Sequence, residues 1–212
     1  MSKVEIINRG LSAYLGEKGI TNLEAPDETS KLLKLHYDTV RRSLLEKERW
    51  IFARGKVALA EVTNERTETW RYKYARPARA IEIHWVNDLI IAQYRISRGE
   101  NPDAERENEG AFLYCDVPAA HCQYTKDEED TSIMPQFFKE ALSAMIAASV
   151  ALPITQSVDR ARFAQNAAND LIDMAIAENE QLEPPIKMPE AGYLDARGST
   201  YDFHFRQMTT DT

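Results

Sequence analysis

The spacing of apolar positions changes period twice along the chain. Val4, Ile7, Leu11 and Tyr14 or Leu15 recur at helical spacing and predict a first helix over 4–15, in which Gly10 lowers propensity but permits close packing. Gly16 to Gly19 end it. Asp27 or Thr29 can cap a second helix over 28–48, with Pro26 at its entry and Glu28 near the positive end of its dipole. Leu33, Tyr37, Val40 and Leu44 form one stripe of that helix, while Lys34, Asp38, Arg41 and Arg42 fall elsewhere and make a charged face. The short link between the two helices favours antiparallel neighbours, hence a helical hairpin. At Trp50-Ile51-Phe52-Ala53 the helical period gives way to extended or turn geometry, so these aromatics are expected as a core plug that fixes the angle between helices and sheet.

From Lys56 the pattern is that of strands. Val57 to Val62, Thr69 to Arg76, Ala80 to Trp85 and Leu89 to Ile96 are short β-branched and aromatic runs, broken at 63–68, Pro77 and Asn87-Asp88. Asn87-Asp88 predicts a tight hairpin. Phe112 to Cys115 and Cys122 to Thr125 predict a second one across Asp116-Val117-Pro118. Between them, 98–109 is charged and without periodicity, which reads as a solvated loop and not as a metal site. The β-region as a whole is expected at about 56–125.

Helical period returns after an acidic link in which Asp130, Thr131 or Ser132 precedes Pro135. Phe138, Leu142, Met145, Ser149 and Leu152 trace the stripe of a third helix over 135–152, which Pro153 should stop or kink. A fourth helix over 157–180 carries Ala164, Ala168, Leu171 and Ala175 on one line, with Phe163, Ala167 and Met174 alongside. Small residues on that line let two helices approach, which predicts a second hairpin and so a four-helix bundle. The fold class expected is mainly α (α+β), with a domain over 1–182. Its core residues are Trp50, Phe52, Leu44, Leu142 and Leu171. Over 183–212, Pro and Gly punctuation forbids a continuous helix, yet Ile186, Tyr193, Leu194, Tyr201, Phe203 and Phe205 supply apolar anchors, either for packing back on the chain's own domain or for an extended arm that orders on another chain.

Composition narrows the function classes. The 212 residues are 43% hydrophobic and 28% charged, as in an ordinary globular domain. A formal net charge of -8 gives no basic footprint for gripping DNA, although an acidic protein can surround it. No apolar run is expected to span a bilayer, and the first ten residues lack the apolar core of a signal peptide. The spacing of Cys115 and Cys122 would allow a disulfide, but two reduced, half-buried thiols are expected without secretion signals. His36, His84, His121 and His204 show no paired metal-ligand spacing. His121 beside Cys122 is the one combination resembling a nucleophile pair, and adjacent strand residues point to opposite faces. No catalytic residue, cofactor or metal is expected.

Taken in order, the residues resemble the tail tubular protein A-like head-to-tail adaptors of tailed bacteriophages. The resemblance is carried by Tyr37-Asp38-x-x-Arg41-x-x-Leu44-Leu45, the Trp50 to Ala53 knot with Leu59-Ala60, and Trp70-Arg71-Tyr72-Lys73-Tyr74-Ala75-Arg76-Pro77. Met134-Pro135-Gln136-Phe137 to Leu142, Ala151-Leu152-Pro153-Ile154-Thr155 and Leu194-Asp195-Ala196-Arg197-Gly198 complete it. No single motif is specific; their order is. The resemblance implies a virion protein that is not an enzyme, twelve copies of which form a ring under the portal protein. Such a ring continues the DNA channel without sequence-specific binding and offers a platform to the downstream tail or nozzle protein. It also implies that the arm, with Arg197 at the matching position, reaches the portal. Lys34, Asp38, Arg41 and Arg42 are then expected on the lateral ring surface. The long acidic loop and the residues after Arg197 depart from the pattern. A different head or tail completion protein, or a small metal-dependent hydrolase using acidic residues of 98–130 with His121, are the competing readings.

Overall fold

The local start and stop signals close most of the helices. In the computed structural model, which describes residues 1–65, 67–68, 70–87, 112–182 and the backbone of 94–96, Ser2 and Glu5 form a reciprocal capping box at α1 (Lys3–Gly10). That helix continues as a π-helical turn, Leu11–Leu15, and ends at Gly16 with a left-handed φ of 67°. The Asp27 carboxylate accepts from the Ser30 amide at 2.8 Å to start α2 (Glu28–Lys47). Ser157 caps α4 (Val158–Gln181) through the Arg160 amide. For α3 (Gln136–Thr155) the expected caps are not used. Pro135 occupies the capping position without a side-chain bond, and Asp130 is spent on the Ser132 amide one turn earlier. Pro153 does not stop the helix either, because it sits in the last turn, where few bonds remain to be lost; α3 ends two residues later at the left-handed Gln156.

The fold is α+β, with four helices and two small antiparallel sheets. α3 is the axis of the helical part and packs against α4, α1 and α2. Gly10 explains how α1 comes so close, since a Cβ there would collide with the carbonyl oxygen of Ser143. Ala141, Leu142, Ala144, Ile146, Ala147, Val150 and Ala151 are all buried, so α3 is apolar on nearly every side. By length and composition it could cross a membrane, contrary to the expectation that no such run exists, and here much of its apolar surface is buried against three other helices. Leu152, expected on the buried stripe, is instead 53% exposed, and Phe163 and Met174 of α4 are each 59% exposed. Leu171 packs only at the margin of the core. Ile172, one position on, takes the buried place.

The chain visits the two sheets in a regular alternation. β1 (Arg54–Ala58) enters the first sheet, and β2 (Glu61–Val62) and β3 (Tyr72–Ala75) pair in the second. β4 (Ala80–Val86) returns to the first sheet, β5 (Tyr94–Ile96) and β6 (Phe112–Cys115) pair in the second, and β7 (His121–Lys126) comes back to lie between β1 and β4. The two predicted tight hairpins are therefore not formed: β4 pairs with β7, and β6 pairs with β3 and β5. Turn-forming residues marked where strands end, but the chain then passes from one sheet to the other. Cys115 and Cys122 consequently belong to different sheets, both as free, buried thiols. A second apolar cluster, with Leu59, Tyr74, Ile83, Val86, Leu113 and Cys122, fills the β-region. The 98–109 loop and the 183–212 arm, with Ile186, Tyr193, Leu194, Arg197, Tyr201, Phe203 and Phe205, lie outside the described residues.

Candidate functional site

The charged face predicted on α2 divides on inspection. Lys34 is exposed and paired with Glu24 at 2.6 Å, and Asp38 is exposed. Arg41 is not on the surface at all: its side chain is 1% exposed. The reason lies in helical geometry, because Arg41 is one turn on from Tyr37 and therefore shares its buried face. Its Nη1 donates to Asp127 Oδ1 and to the Glu128 carbonyl, each at 2.6 Å. Arg42 reaches the same carboxylate from outside, Nε to Oδ2 at 2.9 Å. Arg79 holds the Asp127 carbonyl at 2.7 Å. Two helical arginines and one strand-side arginine thus clamp the link that leaves β7, joining the helical part to the β-region.

The electrostatics follow from that clamp. Burial pushes the Asp127 carboxyl up, but the hydrogen bonds and charges of Arg41 and Arg42 outweigh it and hold the group below its ordinary value. Burial likewise opposes ionisation of Glu128, and Lys126 with the Asp130 and Glu129 amides overcomes it. The Tyr37 hydroxyl, buried and without a hydrogen-bond partner, is pushed up to about 12 by desolvation. Asp127 and Glu128 are held ionised by these partners and Tyr37 stays protonated, while the buried Arg41 Nε has no hydrogen-bond partner. Together they form a structural joint.

The aromatic plug lies beside this joint. Trp50 is fully buried, donates Nε1–H to the Leu44 carbonyl at 2.8 Å and meets Phe138 edge-on at 4.9 Å between centroids. Phe52 meets Phe138 edge-on at 4.7 Å. Asn179 of α4 accepts from the Ile51 amide at 3.1 Å and donates to the Arg49 carbonyl at 3.3 Å, tying the 3₁₀ turn Ile51–Ala53 to the end of the last helix. Trp50, Phe52, Leu44 and Leu142 belong to the helical core or pack against it, as the apolar stripes predict.

The outer face of the β1–β7–β4 sheet was not legible as a site. Its members come from three separate segments, and only alternation in each, such as His121-x-Gln123-x-Thr125, signals a polar face. Lys56, Gln123 and Trp85 stand in register across the three strands. With Asn87 and His121 they line a shallow depression of about 520 Å³. Trp85 is 41% exposed, and the Arg49 guanidinium lies 5.3 Å from its ring centroid. His121 is exposed and Cys122 buried on the opposite face, so the two do not form a nucleophile pair. Burial also raises the Cys122 thiol to about 11, which leaves it protonated at neutral pH. Among the described residues no group of three or more His, Cys, Asp or Glu is placed to hold a metal ion.

His84 gives this region a pH response. Burial, then the charges of Arg49 and Arg54, lower it to about 4, and its Nε2 sits 2.7 Å from Thr125 Oγ1. The folded state keeps it neutral, whereas an unfolded histidine titrates near 6.5. Its contribution is therefore complete above about pH 6.5 and is lost as pH falls toward about 4. His84→Gln should flatten the urea-unfolding stability between those values. An unchanged slope there would assign the pH dependence to other groups.

No model of a known protein family matches the chain, and no curated protein matches it, so the fold and these surfaces stand on their own geometry.

Proposed function

We propose that the chain is a structural subunit of a tailed-phage virion, a head-to-tail adaptor that forms a ring under the portal. The observation that carries this reading is the ordered run of motifs from Tyr37 to Gly198. What those motifs do in the fold agrees with it. Tyr37 and Arg41 belong to a buried joint, Trp50 and Phe52 to a core plug, and the Arg76 guanidinium holds the carbonyls of Ala80 and Ile81. Among the described residues, Tyr37, Arg41, Trp50, Phe52 and Arg76 sit at nodes that fix how helices and sheets are set, the requirement of a part that must hold its shape in a repeated assembly.

In this proposal the helices form a four-helix bundle built from two hairpins, the ring has twelve copies, and the lumen passes DNA without gripping it. An acidic chain suits that last task, since each lysine or arginine contact to phosphate adds salt-dependent attachment that sliding must break. The 183–212 arm is assigned to the portal and the opposite rim to the downstream tail protein. The test is electron microscopy of the purified chain mixed with portal rings. Added density with the portal's symmetry, lost on deletion of 183–212 while helical circular dichroism persists, is the expected outcome. No binding, together with metal-dependent turnover of a nucleic acid or an ester, would sink the proposal.

A further inference from the structure

Among the described residues, two surfaces outside the joint and the cores combine an exposed large apolar side chain with unpaired charge. On the β1–β7–β4 face, Arg49 and Lys56 flank the exposed Trp85, and neither makes an ion pair with a carboxylate among the described residues. In a chain with 34 acidic and 26 basic residues, an aromatic centre with uncompensated cations around it is a local reversal of the overall sign. The second surface is the outward side of α4. Phe163 and Met174 are eleven residues apart, three helical turns, and so project from the same side. Asp170, Asp173, Ala177 and Glu178 are exposed around them. Those carboxylates too have no ion pair among the described residues. The helix's two arginines lie in its first turns, and Arg160 is occupied by the Leu15 carbonyl and Glu17.

We infer that the Trp85 face of one copy receives the Phe163–Met174 face of α4 from a second copy. Each surface has an apolar centre, and the charges around the two centres are opposite in sign. Burying either face on itself would bring like charges together, which costs stability, whereas sheet against helix pairs Arg49 and Lys56 with Asp170 and Asp173. The dimensions are compatible. About 16 Å of helix separates Phe163 from Met174 at ~1.5 Å per residue, and the three strands present a strip of about 10 Å at ~4.8 Å spacing. A contact between two different patches is heterologous, so it repeats from copy to copy and closes a ring if the rotation allows. This deepens the adaptor reading by naming its lateral contact, in place of the α2 face from which Arg41 is withdrawn.

The test uses the full chain and two surface variants, Arg49→Glu with Lys56→Glu, and Asp170→Lys with Asp173→Lys. Sedimentation is followed over rising concentration, and circular dichroism confirms that each variant is folded. Wild type is expected to self-associate, more weakly as salt is raised, and each variant alone to remain monomeric. Mixed in equal amounts, the variants should regain association in alternating copies, because the unaltered sheet face of one meets the unaltered helix face of the other and the two reversed faces are again opposite in sign. Either variant associating as wild type does, or wild type remaining monomeric up to about 1 mM, would overturn the contact. A chain that behaves as expected here yet adds no density to portal rings keeps this contact and loses the adaptor reading. One that adds portal density while both variants still form rings keeps the adaptor reading and loses this contact.

Discussion

Trp50→Ala will lower the unfolding free energy by about 3–5 kcal/mol, the range for removing a large aromatic from a packed core. The indole is 0% exposed and touches Phe52, Phe137 and Phe138, so the void it leaves has rings on several sides that cannot all collapse into it. The loss has a second component, because the Leu44 carbonyl forfeits the Nε1–H donor at the point where α2 runs out of its own bonds. For a domain of this size each kcal/mol lowers the melting temperature by about 2–4 °C, so a shift of roughly 6–20 °C is expected by calorimetry. Trp50→Phe keeps most of the ring contact and should recover more than half of it. A Trp50→Ala protein melting within a degree or two of wild type would remove the plug from its structural role.

The second large effect belongs to Arg41. Arg41→Met leaves the half-buried Asp127 with only its outer partner, Arg42, and should cost about 3 kcal/mol, the low end for breaking an ion pair whose other member is buried. Its signature is in the acid limb. A carboxylate held below its ordinary value stabilises the fold fully above about pH 4 and loses that contribution as pH falls through the folded value. Removing Arg41 brings the folded value back toward the unfolded one, so the variant should be less stable at neutral pH and converge on wild type as the solution is acidified. Arg41→Lys should not rescue it. Both bonds to Asp127 Oδ1 and the Glu128 carbonyl come from Nη1, and a lysine ammonium, on a stem one atom shorter, ends short of that position. A denaturation series in which Arg41→Met tracks wild type at every pH would show that Arg42 alone holds the joint.

Much of the helical part was legible because its signals are local. Asp27 as a cap, Gly16 as a stop, and the spacing of Leu33, Tyr37 and Leu44 each act within a few turns of chain. Arg41 was misplaced because a charge was sorted by its type, although its position one turn after Tyr37 and two after Leu33 already put it on the buried side. What made its burial tolerable, Asp127, lies 86 residues away. The sheets were legible as strands but not as pairings. Asn87 takes a left-handed backbone and the Asp116-Val117-Pro118 segment ends β6 as their chemistry requires, yet Val57 pairs with Cys122 and Tyr72 with Cys115, partners that no local rule selects. For the same reason the Trp85 surface, assembled from Lys56, Trp85 and Gln123, could not be seen before the register was known.

The position of α3 as the common partner of the other helices sets a timetable for synthesis. α1 and α2 are complete by Lys47, but the surface they pack on is not finished until Thr155, and β1 must wait for β7. At about 5–20 residues per second the ribosome needs some 5–20 s to extend from the one to the other. Throughout that interval Ile6, Ile7, Leu33 and Leu44 have no native cover. The chain therefore favours late, concerted folding over domain-by-domain growth, and its pairings between distant segments place it among slow folders. A nascent chain stalled before about residue 130 should be readily digested by protease and bound by chaperones, and one released past α4 should resist both.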